Sequence, residues 1–238
     1  MLFRSHAVIP LTLLLLIGIF LIQSKGSRQI SRLFPHIMCA WFAMLAILGL
    51  LNIIKHPEVL MAFNPYYAFN LLVELGWKGF VIMGGVVLVI TGAETLYADM
   101  GNFGLKPIRF AWFGLVFPSL LLNYFGQGAL LITHPEALAN PFYLMAPKWL
   151  YYPLLILAMM ATLITSQAVI SGAFTVTRQA IQLGYAPRME MRRISSIDTG
   201  QFYIPSINWL LMVPVLILVL SFKTSSALAS AYGIAVTG

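Results

Sequence analysis

Long apolar runs, separated by short polar connections, dominate the hydrophobic pattern of this chain. A membrane-spanning helix needs about 20 mainly apolar residues, and six runs approach or exceed that length, at roughly 7–23, 33–54, 79–97, 108–132, 150–177 and 204–222. A seventh run begins near Ser226 and continues to Gly238 without a charged residue. Such continuous runs are unlike the period-two alternation of a membrane β-barrel. The pattern predicts an all-α polytopic membrane protein.

The composition indicates a chain whose partner is the lipid bilayer. Only 9% of the 238 residues are charged, whereas a soluble domain carries about 25%, and the mean hydropathy is +0.89. The net charge is +7, but the basic residues lie between apolar runs instead of forming one patch, so nucleic acid is excluded as a partner. Cys39 is the only cysteine, which excludes an intrachain disulfide and a cysteine metal cluster.

The distribution of basic residues predicts the orientation in the membrane. Cytoplasmic connections carry the excess of Lys and Arg in membrane proteins. Nine of the fourteen basic residues fall in three connections on one side, namely Lys25, Arg28, Arg32, Lys106, Arg109, Arg178, Arg188, Arg192 and Arg193. We therefore place these connections in the cytoplasm, and the first span enters the membrane from outside.

Two connections on the opposite side resemble each other. "HPEVLMAFNPYY" begins at His56 and "HPEALANPFY" begins at His134. In each, Pro followed by Glu suits the first turn of a helix, and Asn-Pro with an aromatic pair suits a return to the membrane interface. We interpret them as two similar interfacial turns.

Glu94 is the most informative residue, because it lies inside the third apolar run, in "ITGAETLYADM". A charged carboxylate at the centre of a spanning helix costs about 2.5 to 3.5 kcal/mol on insertion scales. Such residues usually face a cavity, pair with a cation or carry a proton. The alternative is a protonated glutamic acid that hydrogen-bonds a neighbouring helix.

The neighbours of Glu94 favour a cation site. Thr91 supplies a hydroxyl, and Gly92 permits unusual backbone angles, so a helix that unwinds here would expose main-chain carbonyls. Oxygen ligands of this kind suit hard monovalent cations, and broken helices form the binding element of many secondary transporters. Asp99 lies closer to the predicted cytoplasmic surface, where a role in ion exit and a simple pair with Lys106 are both open.

Three further stretches carry more polar residues than is usual inside a predicted membrane span, namely "NYFGQGA", "ITSQAVISGAF" and "SAYGIAVTG". Small and hydroxyl residues in membrane spans commonly serve helix packing, but three such faces also suggest an internal polar cavity. The sequence contains no metalloprotease, nucleophile-elbow or P-loop motif. We therefore expect neither an enzyme nor a bound cofactor.

The run "ITGAETLYADMGNFGLKPIRFAWFGLVFPSLLLNYFGQGALL" resembles the KUP/HAK/KT potassium-uptake family, and bacterial members resemble it most. "SQAVISGAFTVTRQAIQLGY", "GQFYIPSINWLLM" and "SALASAYGIAVTG" are similar to the same family in the same order. The resemblance covers nearly the whole chain and is weakest before Ser31.

This resemblance implies a proton-coupled potassium symporter of the bacterial inner membrane, with potassium and proton as transported ions. The implied fold is the inverted-repeat, LeuT-like helix bundle of the amino acid–polyamine–organocation superfamily. Residues 1–54 would hold the last two helices of the first repeat, 55–78 an extracellular connection, and 79–238 most of the second repeat. The family associates the Thr and Glu equivalent to Thr91 and Glu94 with potassium binding, and the Tyr equivalent to Tyr232 with the same pathway.

The chain also departs from the family pattern. The helix-one motif "GDIGTSPLY", which contributes to the cation site in the family, is absent, as are helices two and three and the C-terminal region. We expect a fragment with an incomplete bundle that does not transport alone. The alternatives are an amine or amino-acid transporter of the same fold and a non-transporting remnant, and a homodimer is a candidate assembly.

Overall fold

The computed structural model of the chain describes residues 5–25, 33–79, 83, 86, 104–193 and 202–237. The chain divides into two compact units. The first unit comprises Met1–Arg28, Phe80–Asn102 and Ser166–Gly238, and the second unit comprises Gln29–Gly79 and Phe103–Thr165.

The described residues are almost entirely helical. The α-helices are α1 Ser5–Ile22, α2 Phe34–Lys55, α3 Pro65–Leu75, α4 Leu105–Thr133, α5 Pro141–Leu144, α6 Tyr151–Gln182, α7 Pro205–Phe222 and α8 Ser225–Thr237. Short 3₁₀ helices occupy Gln23–Lys25, Pro57–Phe63 and Pro135–Ala139. Strands β1 (Arg192–Arg193) and β2 (Phe202–Tyr203) form one antiparallel pair.

Four of the described helices, α2, α4, α6 and α7, are long and apolar enough to cross a membrane. They confirm the prediction of an all-α polytopic membrane protein, and three of them match the predicted runs closely. The described apolar part of α1 is shorter, Val8–Ile22, so its crossing of the membrane stays a prediction. The third predicted run, 79–97, lies outside the described residues except for 79, 83 and 86.

Helix α6 is longer than the predicted run 150–177, because its last turn continues through polar residues as far as Gln182. The end is set by Gly184, whose φ of +81° lies in the left-handed region. The Tyr185 N–H then donates to the Ala180 oxygen at 2.9 Å and the Gly184 N–H donates to the Ile181 oxygen at 3.2 Å. This pair of hydrogen bonds is the Schellman ending that glycine favours, and hydropathy alone could not locate it.

Helix α4 contains a π-helical turn at Trp112–Val116, and Pro118 gives the reason. Proline has no N–H, and its ring clashes with the carbonyl four residues earlier in a regular α-helix. The wider turn lets the Phe117 N–H donate to the Trp112 oxygen, and the Ser119 hydroxyl donates to the Leu115 oxygen at 2.7 Å. These bonds keep main-chain groups satisfied in a segment that has no water around it in a bilayer.

Helices α2 and α4 form the core of the second unit, and their main chains touch at two glycines. A methyl group added at Gly126 would lie 2.5 Å from the Gly49 Cα. A methyl group at Gly49 would overlap the main chain of Leu122 and Asn123. Small residues allow this approach, as they commonly do between membrane helices.

The two outer connections have closely similar beginnings, as their sequences predict. His56 ends α2 with φ −136° and ψ 73°, and His134 ends α4 with φ −128° and ψ 73°. A 3₁₀ helix follows each histidine, and it buries an apolar side chain three residues later, Val59 in one and Ala137 in the other. Their location at the membrane interface stays a prediction.

The connections then differ. Helix α3 has eleven residues and none of them is buried, whereas α5 has four residues and lies against α2. The Asn52 Nδ2 group donates to the Met145 oxygen at 3.3 Å, and the rings of Trp41 and Phe142 are 5.6 Å apart between centroids. The second connection therefore turns back along α2 before α6 begins.

The first unit has its apolar cluster where α1 ends and α7 begins. It comprises Phe20, Ile170, Phe174, Tyr203 and Ile204. The strand pair is held to α6 by Arg178, whose guanidinium carbon lies 3.8 Å from the centre of the Phe202 ring. Since Arg178 and Arg192 belong to the predicted cytoplasmic set, this cluster lies at the predicted cytoplasmic end.

Candidate functional site

Three residues of the predicted cation site, Thr91, Glu94 and Asp99, lie at positions 87–103, outside the described residues. Their roles therefore stay predictions. The repeat-based division into 1–54, 55–78 and 79–238 stays a prediction as well.

Tyr232 is described, and it lies on α8 in the first unit with 42% of its surface exposed. The helix starts where it does because the Thr224 hydroxyl accepts a hydrogen bond from the Ala227 N–H at 3.3 Å, which is the usual N-cap arrangement. The Ser230 hydroxyl donates to the Ser226 oxygen at 3.1 Å. The hydroxyls of Thr224 and Ser230 are thus used within the helix and its cap, and the assignment of Tyr232 to a potassium pathway stays a prediction.

The polar stretch in α4 serves helix packing in part. Gly126 makes the close contact with Gly49, and Asn123 is 6% exposed. The Asn123 Oδ1 atom has no hydrogen-bond partner within the described part of the chain. This stretch therefore combines a close helix contact with a buried acceptor oxygen, two features that the sequence analysis could not separate.

Hydroxyl groups in and beside the polar stretch of α6 donate hydrogen bonds to their own helix. The Thr162 and Thr165 hydroxyls donate to the main-chain oxygens of Ala158 and Ala161, at 2.8 and 2.9 Å. The Thr175 hydroxyl donates to the Ser171 oxygen at 3.1 Å. Such bonds let these three threonines occur in an apolar helix, and the predicted polar cavity stays a prediction.

Three buried amides were not singled out from the sequence. Asn52 is 6% exposed, and its Nδ2 group donates to the Leu48 oxygen at 2.8 Å as well as to Met145. Gln23 and Asn208 are 6% and 2% exposed, at the ends of α1 and α7 that meet. In the sequence, the signal for these buried amides was a single Asn or Gln near one end of each of the three apolar runs.

Tyr143, in the connection that follows α4, has a perturbed pKa. Burial raises the pKa of the Tyr143 phenol above its ordinary value of 10.0, and the neighbouring Tyr151 raises it further. The two rings lie 6.1 Å apart. Tyr143 is therefore a protonated hydroxyl at physiological pH and offers no phenolate to a cation.

Carboxylate, imidazole and thiol groups do not cluster within the described ranges. No group of three or more His, Cys, Asp or Glu residues gathers there in a way that could hold a metal ion. The predicted monovalent-cation site, with the Thr91 hydroxyl and the Glu94 carboxylate, lies outside these ranges.

Comparison with known proteins decides the family. The family model described as the K+ potassium transporter integral membrane domain matches residues 3–238. The chain belongs to this family. The resemblance predicted from the ordered motifs is confirmed, and the chain is a multi-pass protein of the bacterial inner membrane.

Curated relatives of this chain are named as probable potassium transport system proteins Kup. The protein of Pseudomonas fluorescens is 58% identical over 234 residues, which are 98% of this chain and 37% of the relative. Kup 1 of Paramagnetospirillum magneticum is 55% identical over 99% of this chain, and the Thiobacillus denitrificans protein is 56% identical over 97%. The chain spans about 37% of the length of each of these curated relatives. No solved structure matches the chain.

Proposed function

We propose that this chain supplies part of a potassium-uptake pathway across the bacterial inner membrane. The observation that carries the proposal is the family match over residues 3–238. The matched range includes the ordered motif around Thr91 and Glu94. Relatives that are 55% to 58% identical carry the name of a potassium transport system, and the proposed activity is accordingly transport instead of catalysis.

The proposed mechanism is symport of potassium with a proton. The membrane potential contributes about 2.3 kcal/mol per charge per 100 mV to cation entry, and accumulation beyond that limit needs a second ion. Glu94 suits this coupling, because desolvation favours its neutral form and a bound cation favours its carboxylate. A proton and a potassium ion would then occupy the same site in alternation.

The proposed architecture is the inverted-repeat bundle, with 79–238 as most of the second repeat. Many secondary transporters bind their ions at discontinuous helices in bundles of this kind. Thr91 and Glu94 would lie at such a break, Tyr232 would lie on the same pathway, and Asp99 would lie near the cytoplasmic exit. The partners are the lipid bilayer, potassium and a proton.

Rubidium uptake tests this proposal, since rubidium is a chemical substitute for potassium. The chain would replace its counterpart in an intact member of the family, and the chimera would be expressed in cells that lack other potassium uptake. We expect rubidium uptake that potassium inhibits and that amines and amino acids leave unchanged. Inhibition by an amine or amino acid would indicate a transporter of that class, and normal membrane insertion without uptake would indicate a non-transporting remnant.

A further inference from the structure

Two buried carboxamides lie at the junction between the end of α1 and the start of α7, within the first unit. The Asn208 Nδ2 group donates to the main-chain oxygen of Phe20 at 3.3 Å. Gln23 follows Phe20 by three residues, which is about one helical turn. Both amides are more than nine-tenths buried, with 6% of Gln23 and 2% of Asn208 exposed.

Each amide has one polar atom without a hydrogen-bond partner among the described residues, Nε2 of Gln23 and Oδ1 of Asn208. The orientation of Asn208 is fixed, because its NH₂ group already donates to the Phe20 oxygen. The first of the two unpaired atoms is a donor and the second is an acceptor. A buried polar group without a partner is unfavourable, so each of these atoms favours a ligand that can satisfy it.

We propose that this junction binds one water molecule, which accepts a hydrogen bond from Gln23 Nε2 and donates one to Asn208 Oδ1. Water both donates and accepts, whereas a cation binds only acceptor oxygens. Buried waters in proteins commonly make about three hydrogen bonds, and the end of α1 presents main-chain carbonyls that can accept a third.

The bound water would join α1 to α7 beside an otherwise apolar cluster. Phe20 and Ile204 belong to that cluster, and Ile204 accepts the main-chain hydrogen bond of Asn208 at 3.0 Å. The water therefore satisfies polar atoms at the predicted cytoplasmic end of the first unit.

Radiolytic hydroxyl labelling of the whole chain in detergent micelles tests the site, because X-rays generate radicals from bound water at the place where it is bound. We expect labelling of Phe20 and Ile204, although they are 3% and 0% exposed. Leu48 and Leu154 are equally closed to solvent at 0% and serve as unlabelled controls. Labelling of Phe20 and Ile204 no stronger than that of these leucines would overturn the proposal.

Two variants separate the bound water from general solvent entry. Asn208→Leu removes the acceptor, and Gln23→Met removes the donor with little change in side-chain length. In either variant the labelling of Ile204 should fall to the level of Leu48. If Asn208→Leu does not fold, Gln23→Met provides the test. Labelling that persists in a folded variant would refute the site.

A salt comparison distinguishes water from a cation at the same place. Labelling of Phe20 and Ile204 should be equal in potassium chloride and in choline chloride. Loss of labelling in potassium chloride alone would show that potassium displaces the water, and the proposal would then be wrong.

Discussion

The contact between Gly49 and Gly126 determines how closely α2 and α4 approach. Lipid tails are as apolar as leucine, so membrane helices associate through close packing and hydrogen bonds more than through the hydrophobic effect. The second unit uses both, because the two glycines bring the main chains together and Asn52 hydrogen-bonds across to Met145 at 3.3 Å. A single methyl group at this contact should therefore have a large effect.

Gly126→Ala is expected to destabilise the second unit by about 1–3 kcal/mol, the usual cost of overpacking. The added Cβ would lie 2.5 Å from the Gly49 Cα, and the neighbouring main chain cannot move aside easily. Gly114→Ala in the same helix is the control, since a methyl group there has no heavy atom within 4 Å. Thermal unfolding in detergent should show a lower Tm for the first variant only. Equal Tm values would contradict the packing described here.

At the scale of elements, the strand pair packs against the helices of the first unit. Tyr203 and Ile204 contribute to the apolar cluster with α1 and α6, and Arg178 stacks on Phe202 at 3.8 Å. A cation over an aromatic ring contributes about 0.5–2 kcal/mol. This contact fastens the strand pair to the end of α6.

Arg178→Ala should therefore loosen the strand pair. Hydrogen exchange at the Tyr203 amide should accelerate by about 2- to 30-fold, which corresponds to the loss of the stacking energy. Arg192→Ala is the matched control, because Arg192 forms an exposed pair with Glu190 at 2.8 Å, and exposed ion pairs stabilise little. If both variants exchange alike, the stacking on Phe202 does not hold the pair.

At the scale of the whole molecule, the basic connections predict which side of the membrane each exposed position faces. Leu138 is 73% exposed in the connection that follows α4, and Tyr185 is 86% exposed after α6. The chain has one cysteine, Cys39, so replacing it with serine permits single-cysteine variants.

In the Cys39→Ser background, an impermeant thiol reagent should label Leu138→Cys in intact cells. The same reagent should label Tyr185→Cys only after the membrane is opened, because the positive-inside rule places that connection in the cytoplasm. The opposite pattern would show that the orientation is inverted.

Apolar length was sufficient to predict α2, α4 and α7 within a few residues, because a bilayer imposes its thickness on the sequence. The repeated loop sequences likewise predicted the similar turns at His56 and His134. The contacts between helices could not be predicted, since no local sequence pattern relates Gly49 to Gly126 or Asn208 to Phe20. The π-helical turn before Pro118 was missed because hydropathy does not distinguish hydrogen-bond patterns within a helix.

For the candidate cation site, the sequence predicted the types of ligand but not their positions in space. The signal was a carboxylate near a hydroxyl and a glycine within an apolar run. Its motif lies within the family match, while Thr91, Glu94 and Asp99 lie outside the described residues. Tyr232 is 42% exposed on α8, and its place on a potassium pathway stays a prediction.

Glu94 is proposed to couple proton and potassium movement. The most direct measurement is rubidium uptake at several pH values by the chimera carrying Glu94→Gln, beside one carrying Glu136→Gln. Glu136 is an exposed carboxylate in the second outer connection, so it controls for loss of charge alone. We predict that Glu94→Gln abolishes pH-dependent uptake and that Glu136→Gln preserves it. Unchanged, pH-dependent uptake in Glu94→Gln would contradict coupling through this carboxylate.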